Sequence, residues 1–357
     1  MKKALKRILI VLAILIVLPP LVLLFFTLAA YHPAAETVLE SSFAPESPAA
    51  SAPGDLRLVT WNLGYGGLDE KTDFVMEGGT MALPRSREAV TAALEEMGTF
   101  LAAREADVYF LQEVDRASAR TGKMNQVAAL GERFPDYYGW YALNYKALFV
   151  PYPLPHPMGS MESGLLTLSR FAAPDPVRYQ LPGSYSWPVR IFHLRRCAVL
   201  LRIPSAVEGR DWCLINIHLS AYDNGTMRRE QLSFLKDKIR ELYAQGHYVV
   251  VGGDWNSLFP GISREQFGEH TTPEESLFWL QDIPGDWALP GWQWCMDPRV
   301  PTCRALNQPY KAGENFVTVI DGFYVSPNVE VREVRGFDLR FQWTDHNPVA
   351  VTLRGRP

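Results

Sequence analysis

The sequence predicts a layered α/β domain, two packed sheets flanked by helices, behind one N-terminal membrane-spanning helix. Three observations predict it. Apolar runs of strand length follow one another with few helices between them. The stretches with helical spacing lie far apart in the chain. Residues 8–30 are 23 residues without a charge, where a spanning helix needs about 20.

The N-terminal segment comes first. Lys2, Lys3, Lys6 and Arg7 precede the apolar run, which favours a cytoplasmic N-terminus and an extracytoplasmic remainder. Pro19-Pro20 suits a lipid-embedded helix better than a soluble one. A cleaved signal peptide competes with this reading, with Ala29-Ala30 as its candidate site, and a buried soluble helix is a third. The expected organisation is a basic cytoplasmic tail (1–7), a single-pass signal anchor in the cell membrane (8–30), a flexible linker (31–53) and one large domain (54–357). The linker is rich in Ala, Ser, Pro and Glu and lacks apolar periodicity, the composition of an extended tether.

The net charge is −4, and the four N-terminal cations leave −8 on residues 31–357. No basic run follows Arg7, so the strongly basic face of a general nucleic-acid binder is missing. Cys197, Cys213, Cys295 and Cys303 lack the spacing of a zinc site. Outside the cytoplasm Cys295 and Cys303 are candidates for a short disulfide loop. The alternative is that they are small buried hydrophobes. No protein partner is evident in the sequence.

Within the domain, residues 56–62 read as a strand ending in Asn62, and Gly64, Gly66 and Gly67 turn the chain at once. These glycines do not match the Gly-x-Gly-x-x-Gly turn of a dinucleotide-binding domain. An acidic loop (68–84) follows. Val90, Leu94, Met97 and Leu101 predict an amphipathic helix over 86–104. Residues 107–113 form the next strand, ending in Gln112-Glu113, and a short helix is expected over 125–134. Four prolines mark 144–160 as an irregular loop. Strands follow at 163–169, 197–203 and 211–219. Leu232, Leu235, Ile239 and Leu242 mark a second amphipathic helix. Val249-Val250-Val251 reads as a doubly buried strand, and Gly252-Gly253 then lets the chain turn at Asp254-Trp255-Asn256. Residues 258–314, with Trp279, Trp287, Trp292 and Trp294, are mainly loop. Residues 317–325 are a strand with Asp321 inside it, and 349–353 the last strand.

Polar residues recur in or just after the apolar runs: Asn62, Glu113, His218, Asp254 with Asn256, Asp321, and Asp345 with His346. A carboxylate inside a strand such as Val319-Ile320-Asp321-Gly322 is costly to bury without a partner. One such residue is usually a satisfied core group, but several elements ending this way point to a site. The set is rich in oxygen donors and contains no cysteine, which suits Mg²⁺, Mn²⁺ or Ca²⁺ better than zinc.

Six segments in order carry a resemblance: Thr60-Trp61-Asn62-Leu63, Leu111-Gln112-Glu113-Val114, Asn216-Ile217-His218-Leu219, Gly253-Asp254-Trp255-Asn256, Ile320-Asp321-Gly322 and Thr344-Asp345-His346. They resemble the DNase I-like endonuclease/exonuclease/phosphatase superfamily, which includes neutral sphingomyelinases and inositol polyphosphate 5-phosphatases. The resemblance implies a four-layer α/β/β/α sandwich and a phosphoesterase dependent on Mg²⁺ or Mn²⁺. It implies Glu113 as the central metal ligand, with Asn62 and Asp345 beside it. Asp254 would position or deprotonate the attacking water, and Asn256 would hold the water or the phosphate. His346, oriented by Asp321, would contact the phosphoryl oxygens and stabilise their charge or serve as the acid-base, and His218 would be the second imidazole on the phosphate. Glu162 is the candidate partner of His218, and Tyr145 or Tyr141 the candidate phosphate tyrosine. Arg228, paired in the family with a residue matching Gln231, reads better as a structural ion pair than as a substrate contact. Asp73 and Glu77, in the acidic loop after Asn62, are candidates to reach the site, but read better as part of a solvated loop. The substrate would be a lipid headgroup, a small phosphodiester or nucleic acid. A nuclease, or an inactive binding domain on the same fold, are the alternatives; the presence of Glu113, Asp254 and His346 speaks against the second.

Overall fold

Alternating burial gives most strands two apolar faces, and those faces decide the layering. The computed structural model describes residues 2–47 and 54–356. Its first half contains α1 (Lys2–Leu28), β1 (Glu36–Val38), β2 (Ser41–Phe43), β3 (Asp55–Asn62), α2 (Arg87–Ala102), β4 (Val108–Asp115), α3 (Gln126–Arg133), β5 (Tyr138–Val150) and β6 (Gly159–Ser169). Then come β7 (Val177–Gln180), β8 (Cys197–Pro204), β9 (Asp211–His218), α4 (Thr226–Ala244) and β10 (Tyr248–Asp254). The chain ends with β11 (Gln293–Cys295), β12 (Cys303–Arg304), β13 (Val317–Thr318), β14 (Asp321–Val325), β15 (Val329–Gly336) and β16 (Val349–Gly355).

Two seven-stranded sheets result, in the orders β1-β7-β8-β9-β10-β14-β11 and β15-β16-β3-β4-β6-β5-β2. Between them pack Leu56, Leu58, Val108, Phe110, Val199, Leu201, Leu214, Val250 and Phe323. The residues that alternate with these face outwards. Val59, Trp61, Tyr109 and Leu111 meet Leu94, Met97 and Leu101 of α2 and Val127 and Leu130 of α3. Cys213, Ile215, Val249 and Val251 meet Leu232, Leu235, Ile239 and Leu242 of α4. The outcome is the expected four-layer α/β/β/α sandwich. The triple valine lies on β10, a fully buried strand parallel to β9 and antiparallel to β14.

Some elements differ from the sequence reading. Within the segment read as a flexible linker, Glu36–Val38 pairs with β7 and Ser41–Phe43 with β5, so the chain adds an edge strand to each sheet. Residues 48–53 of that segment lie outside the described residues. The proline-rich stretch is loop only at its centre: β5 runs on to Val150, and β6 begins at Gly159. The strand expected over 317–325 breaks in two, because the Ile320 and Asp321 N–H groups turn to Thr302 Oγ1, at 2.9 and 3.0 Å. All four cysteines are free and buried, so Cys295 and Cys303 form no disulfide.

α1 is a continuous 27-residue helix with no buried residue, and Pro19 and Pro20 lie within it. At 1.5 Å per residue it is about 40 Å long. It is long and apolar enough to cross a membrane.

Candidate active site

One end of the sandwich collects the C-terminal ends of β3, β4, β9 and β10. The N-terminal ends of β8 and β14 arrive there too, because both run antiparallel to their neighbours. Alternation then selects the side chains that meet. Leu56 and Leu58 face between the sheets, so Thr60 and Asn62 do as well; Trp212 and Leu214 bring Asn216 and His218, and Tyr248 and Val250 bring Gly252 and Asp254. The lower layer is a polar clamp across the sheets. Gln112 Nε2 donates to Thr60 Oγ1 at 3.2 Å and to Asn216 Oδ1 at 2.8 Å, and Asn216 Nδ2 donates to Thr167 Oγ1 at 3.1 Å. Asn62, His218 and Asp254 form the layer above it.

The glycines before Asp254 are required by space. A Cβ on Gly252 would lie 2.3 Å from Phe323, and one on Gly253, at φ 145°, 2.0 Å from the Ile217 carbonyl. Glu113 reaches the site differently. Strict alternation would turn it outwards, but a bulge interrupts β4 between Leu111 and Val114 and Glu113 takes φ 53°. Asn256 has φ 48°, and its left-handed turn lets its N–H bond Asp254 Oδ1 at 2.8 Å.

Asp254 Oδ2 is the hub. It lies 3.0 Å from Asn62 Nδ2, 3.3 Å from His218 Nε2 and 3.8 Å from His346 Nε2. His218 Nε2 is also 4.0 Å from Glu113 Oε1. His346 Nδ1 is 2.8 Å from Asp321 Oδ2, as the family resemblance implies. Its Nε2 is 4.0 Å from Asp345 Oδ2. All of these except Asp321 line a cleft of about 450 Å³ whose other walls include Tyr65, Phe74, Met76, Tyr145, Met158, Phe192, Tyr222 and Trp279.

The two imidazoles carry different charge. Burial drives His218 well below its ordinary pKa, and Arg196 and His346 add to the shift, so it is neutral. Burial opposes the charge of His346 too, but Asp321, Cys303, Asp254 and Asp345 outweigh it and raise its pKa well above normal. Burial pushes Asp321 up to about 6, against the pull of the His346 charge. His346 is therefore an imidazolium held by Asp321. Glu113 is raised mainly by burial at the foot of the cleft, and Asp345 raises it further while Arg120 opposes.

Several donors could hold a hard cation. Glu113 and Asp345 present carboxylates towards the cleft, and their mutual repulsion is what a divalent cation relieves. Asn62 meets a ligand role only with its amide turned over: its Oδ1 now accepts from the Gly64 N–H at 3.0 Å, and its Nδ2 faces Glu113 and Asp254. Asp254, Asp321 and His346 also bring three donor atoms within 4.8 Å of one another. That trio is the poorer cation site, because Asp321 is already paired with an imidazolium.

The remaining sequence candidates divide. Tyr145 lines the cleft but its hydroxyl donates to the Phe192 carbonyl at 2.9 Å, while Tyr141 donates to the Val114 carbonyl. Glu162 pairs with Arg116 Nε at 2.5 Å and is not among the lining residues, and His218 Nδ1 has no partner among the described residues. Arg228 is structural: it holds the Asn256, Ala221 and Trp279 carbonyls and Asp223. Asn256 Nδ2 is spent on the Leu219 carbonyl at 2.9 Å, leaving its oxygen free. Asp73 only braces its own loop.

Two lining residues escaped the sequence reading, Arg196 and Arg120, and a third, Glu77, was read there as solvated loop. Arg196 opens the approach to β8, buried, with Nη1 unpartnered and its charge felt by Glu113 and Asp254. Arg120 forks onto Asp115 at 3.0 and 2.9 Å and stacks on Tyr65. Glu77 is buried in the wall and accepts from Tyr222. The Arg195-Arg196 pair immediately before an apolar strand was the available signal.

The sequence from 59 to 346 matches the Endonuclease/Exonuclease/phosphatase family. The chain belongs to that family. Solved structures agree at the level of fold. An endonuclease/exonuclease/phosphatase from Beutenbergia cavernae is 20% identical with a TM-score of 0.57, covering 85% of this chain and 72% of its own. One from Bacteroides vulgatus is 15% identical with a TM-score of 0.52, covering 85% and 99%. TDP2 from Caenorhabditis elegans is 16% identical with a TM-score of 0.51, covering 84% and 75%. No curated protein shows significant sequence similarity to the chain.

Proposed function

We propose that this family member hydrolyses a phosphate ester, with water as the nucleophile, from a domain held at the extracytoplasmic face of a membrane. The observation that carries the reading is the setting of Asp254, whose Oδ2 has nitrogens of Asn62, His218 and His346 at 3.0, 3.3 and 3.8 Å on the floor of the cleft.

Asp254 is the general base. Its Oδ1 is fixed by the Asn256 N–H, so Oδ2 is the atom that takes the proton from water. Neutral His218 donates its single N–H from Nε2 to that carboxylate and orients it. The His346 imidazolium points Nε2 at the place where phosphoryl charge grows, and Asp321 keeps it protonated. Arg196 supplies a second fixed positive charge, and the free oxygen of Asn256 holds the water. Glu113 and Asp345 would hold Mg²⁺ or Mn²⁺, with Asn62 kept as a donor to Asp254. Such an ion, when bound, neutralises charge on the phosphoryl oxygens.

The membrane reading is supported by the four cations before α1 and by its length. Protease added to intact cells should then remove the domain. A nuclease is disfavoured by the −8 charge of residues 31–357. The test of function is a hydrolysis screen of the full chain with Mg²⁺ or Mn²⁺ over DNA, RNA, lipid phosphodiesters, phosphoinositides and an aryl phosphodiester. Release of product from none of them, by a folded chain, contradicts the proposal.

A further inference from the structure

The cleft has an apolar rim, and that rim lies beside the end of α1. Among the described residues, more than half of the large apolar side chains exposed after α1 belong to two segments at the cleft mouth: Leu148, Phe149, Tyr152 and Leu154 at the end of β5 and in the loop after it, and Trp187 and Val189. Leu154 is 84% exposed. Isolated exposed leucines are ordinary, but a patch of six around a pocket is not. Tyr152 and Val189 also line the cleft, so the patch runs without a break into its wall of Val150, Met158, Phe192 and Leu194.

α1 touches this same rim. Trp187 Nε1 donates to Thr27 Oγ1 at 3.1 Å, and the Phe26 and Phe192 rings pack edge to face with centroids 5.8 Å apart. Residues 26 and 27 are the last turn of the apolar helix. Whatever bilayer holds α1 therefore has its surface at Trp187 and Phe192. Lys146 and Arg190 stand exposed in the same two segments, where anionic headgroups would meet them. A tryptophan at that depth is the usual interfacial residue.

We propose that the rim is seated in the membrane surface around α1 and that the cleft takes a lipid-borne phosphate ester directly from the bilayer. The phosphate lies over Asp254 and His346, and the chain of the lipid follows the apolar wall out through the rim. This rests on the phosphoesterase reading for the chemistry, but the seating of the rim does not. Leu148, Phe149 and Leu154 do not line the cleft, so they contact lipid and not the reacting atoms.

The experiment uses the full chain reconstituted in phosphatidylcholine vesicles. All four native cysteines are buried, so an environment-sensitive fluorophore on Leu154→Cys reports one site. Glu208→Cys, in the exposed turn between β8 and β9 at the far end of the sandwich, is the control. Nitroxide-labelled lipid should quench the label at 154 and leave the label at 208 unaffected. In parallel, Leu148→Asp/Phe149→Asp/Leu154→Asp is assayed on vesicles containing phosphatidylglycerol and phosphatidic acid and on a water-soluble aryl phosphodiester. Hydrolysis of the lipid should fall by about tenfold or more, since interfacial binding scales with buried apolar area. The soluble ester should be cleaved at the parental rate. An unquenched label at 154, or equal rates on lipid for parent and variant, overturns the inference. A parent that cleaves the soluble ester but none of the lipids overturns it too. A parent that cleaves neither ester contradicts the phosphoesterase reading, and the proposed substrate falls with it; quenching then decides the seating of the rim by itself.

Discussion

Glu77→Gln exchanges a buried charge for its isosteric amide and so tests how the cleft wall is packed. Glu77 is 6% exposed. Its Oε2 accepts from the Leu306 N–H at 2.9 Å and its Oε1 from the Tyr222 hydroxyl at 2.8 Å. Burial raises its pKa from 4.5 to about 7, although both hydrogen bonds oppose the shift. The folded chain therefore holds this proton more tightly than the unfolded chain does. A raised pKa contributes stability that is fully present below pH 4.5 and lost as pH rises through about 7. The difference of about 2.5 units corresponds to roughly 3 kcal/mol. Glutamine carries no such dependence, so the variant should gain on the parent by that amount between pH 4.5 and 8. At roughly 2–4 °C per kcal/mol this is a relative rise in Tm of about 6–12 °C. The assay is thermal unfolding of the full chains in detergent, with EDTA present so that no cation sits near Asp345, whose charge also raises Glu77. A difference in Tm that stays constant over that range would refute the burial of an isolated carboxyl here.

Three further outcomes are expected. Glu113→Gln should fold and yet lose the rise in Tm that Mg²⁺ or Mn²⁺ gives the parent, because a ligand that binds only the native state stabilises in proportion to occupancy; equal responses exclude Glu113 as a ligand. Arg196→Gln should lower kcat/KM by about 10–100-fold, the scale of a charged hydrogen bond, and an unchanged value removes Arg196 from the site. Asp321→Asn should reduce kcat less than loss of the base does. It should also shift the alkaline limb of the pH profile to lower pH, because His346 loses the carboxylate that holds its proton; a limb that does not move shows that His346 acts without its charge.

The sequence made the central strand and most of the site readable for one reason: parallel strands end in the polar residues they deliver. β3, β9 and β10 place Asn62, His218 and Asp254 by simple alternation. Asp321 was conspicuous as an acid among apolar neighbours. Arg196 was not, because it precedes its strand, and only the antiparallel pairing of β8 with β9 carries that strand's start to the site. Glu113 stood out by its position in the motif, but the bulge that turns it inwards leaves no mark in the residues. Glu77 looked like loop because its burial depends on Leu306 and Tyr222, more than 140 residues away. Residues 36–43 looked like tether because an edge strand needs few apolar residues when its backbone does the pairing.

The most direct measurement is the turnover of Asp254→Asn on whichever ester the screen identifies, with circular dichroism to establish folding. The amide keeps the bonds to the Asn256 N–H and the shape of the site but cannot take a proton from water. Its kcat should fall by at least about 10²-fold with KM changed far less. Turnover near that of the parent in a folded Asp254→Asn chain would contradict Asp254 as the general base.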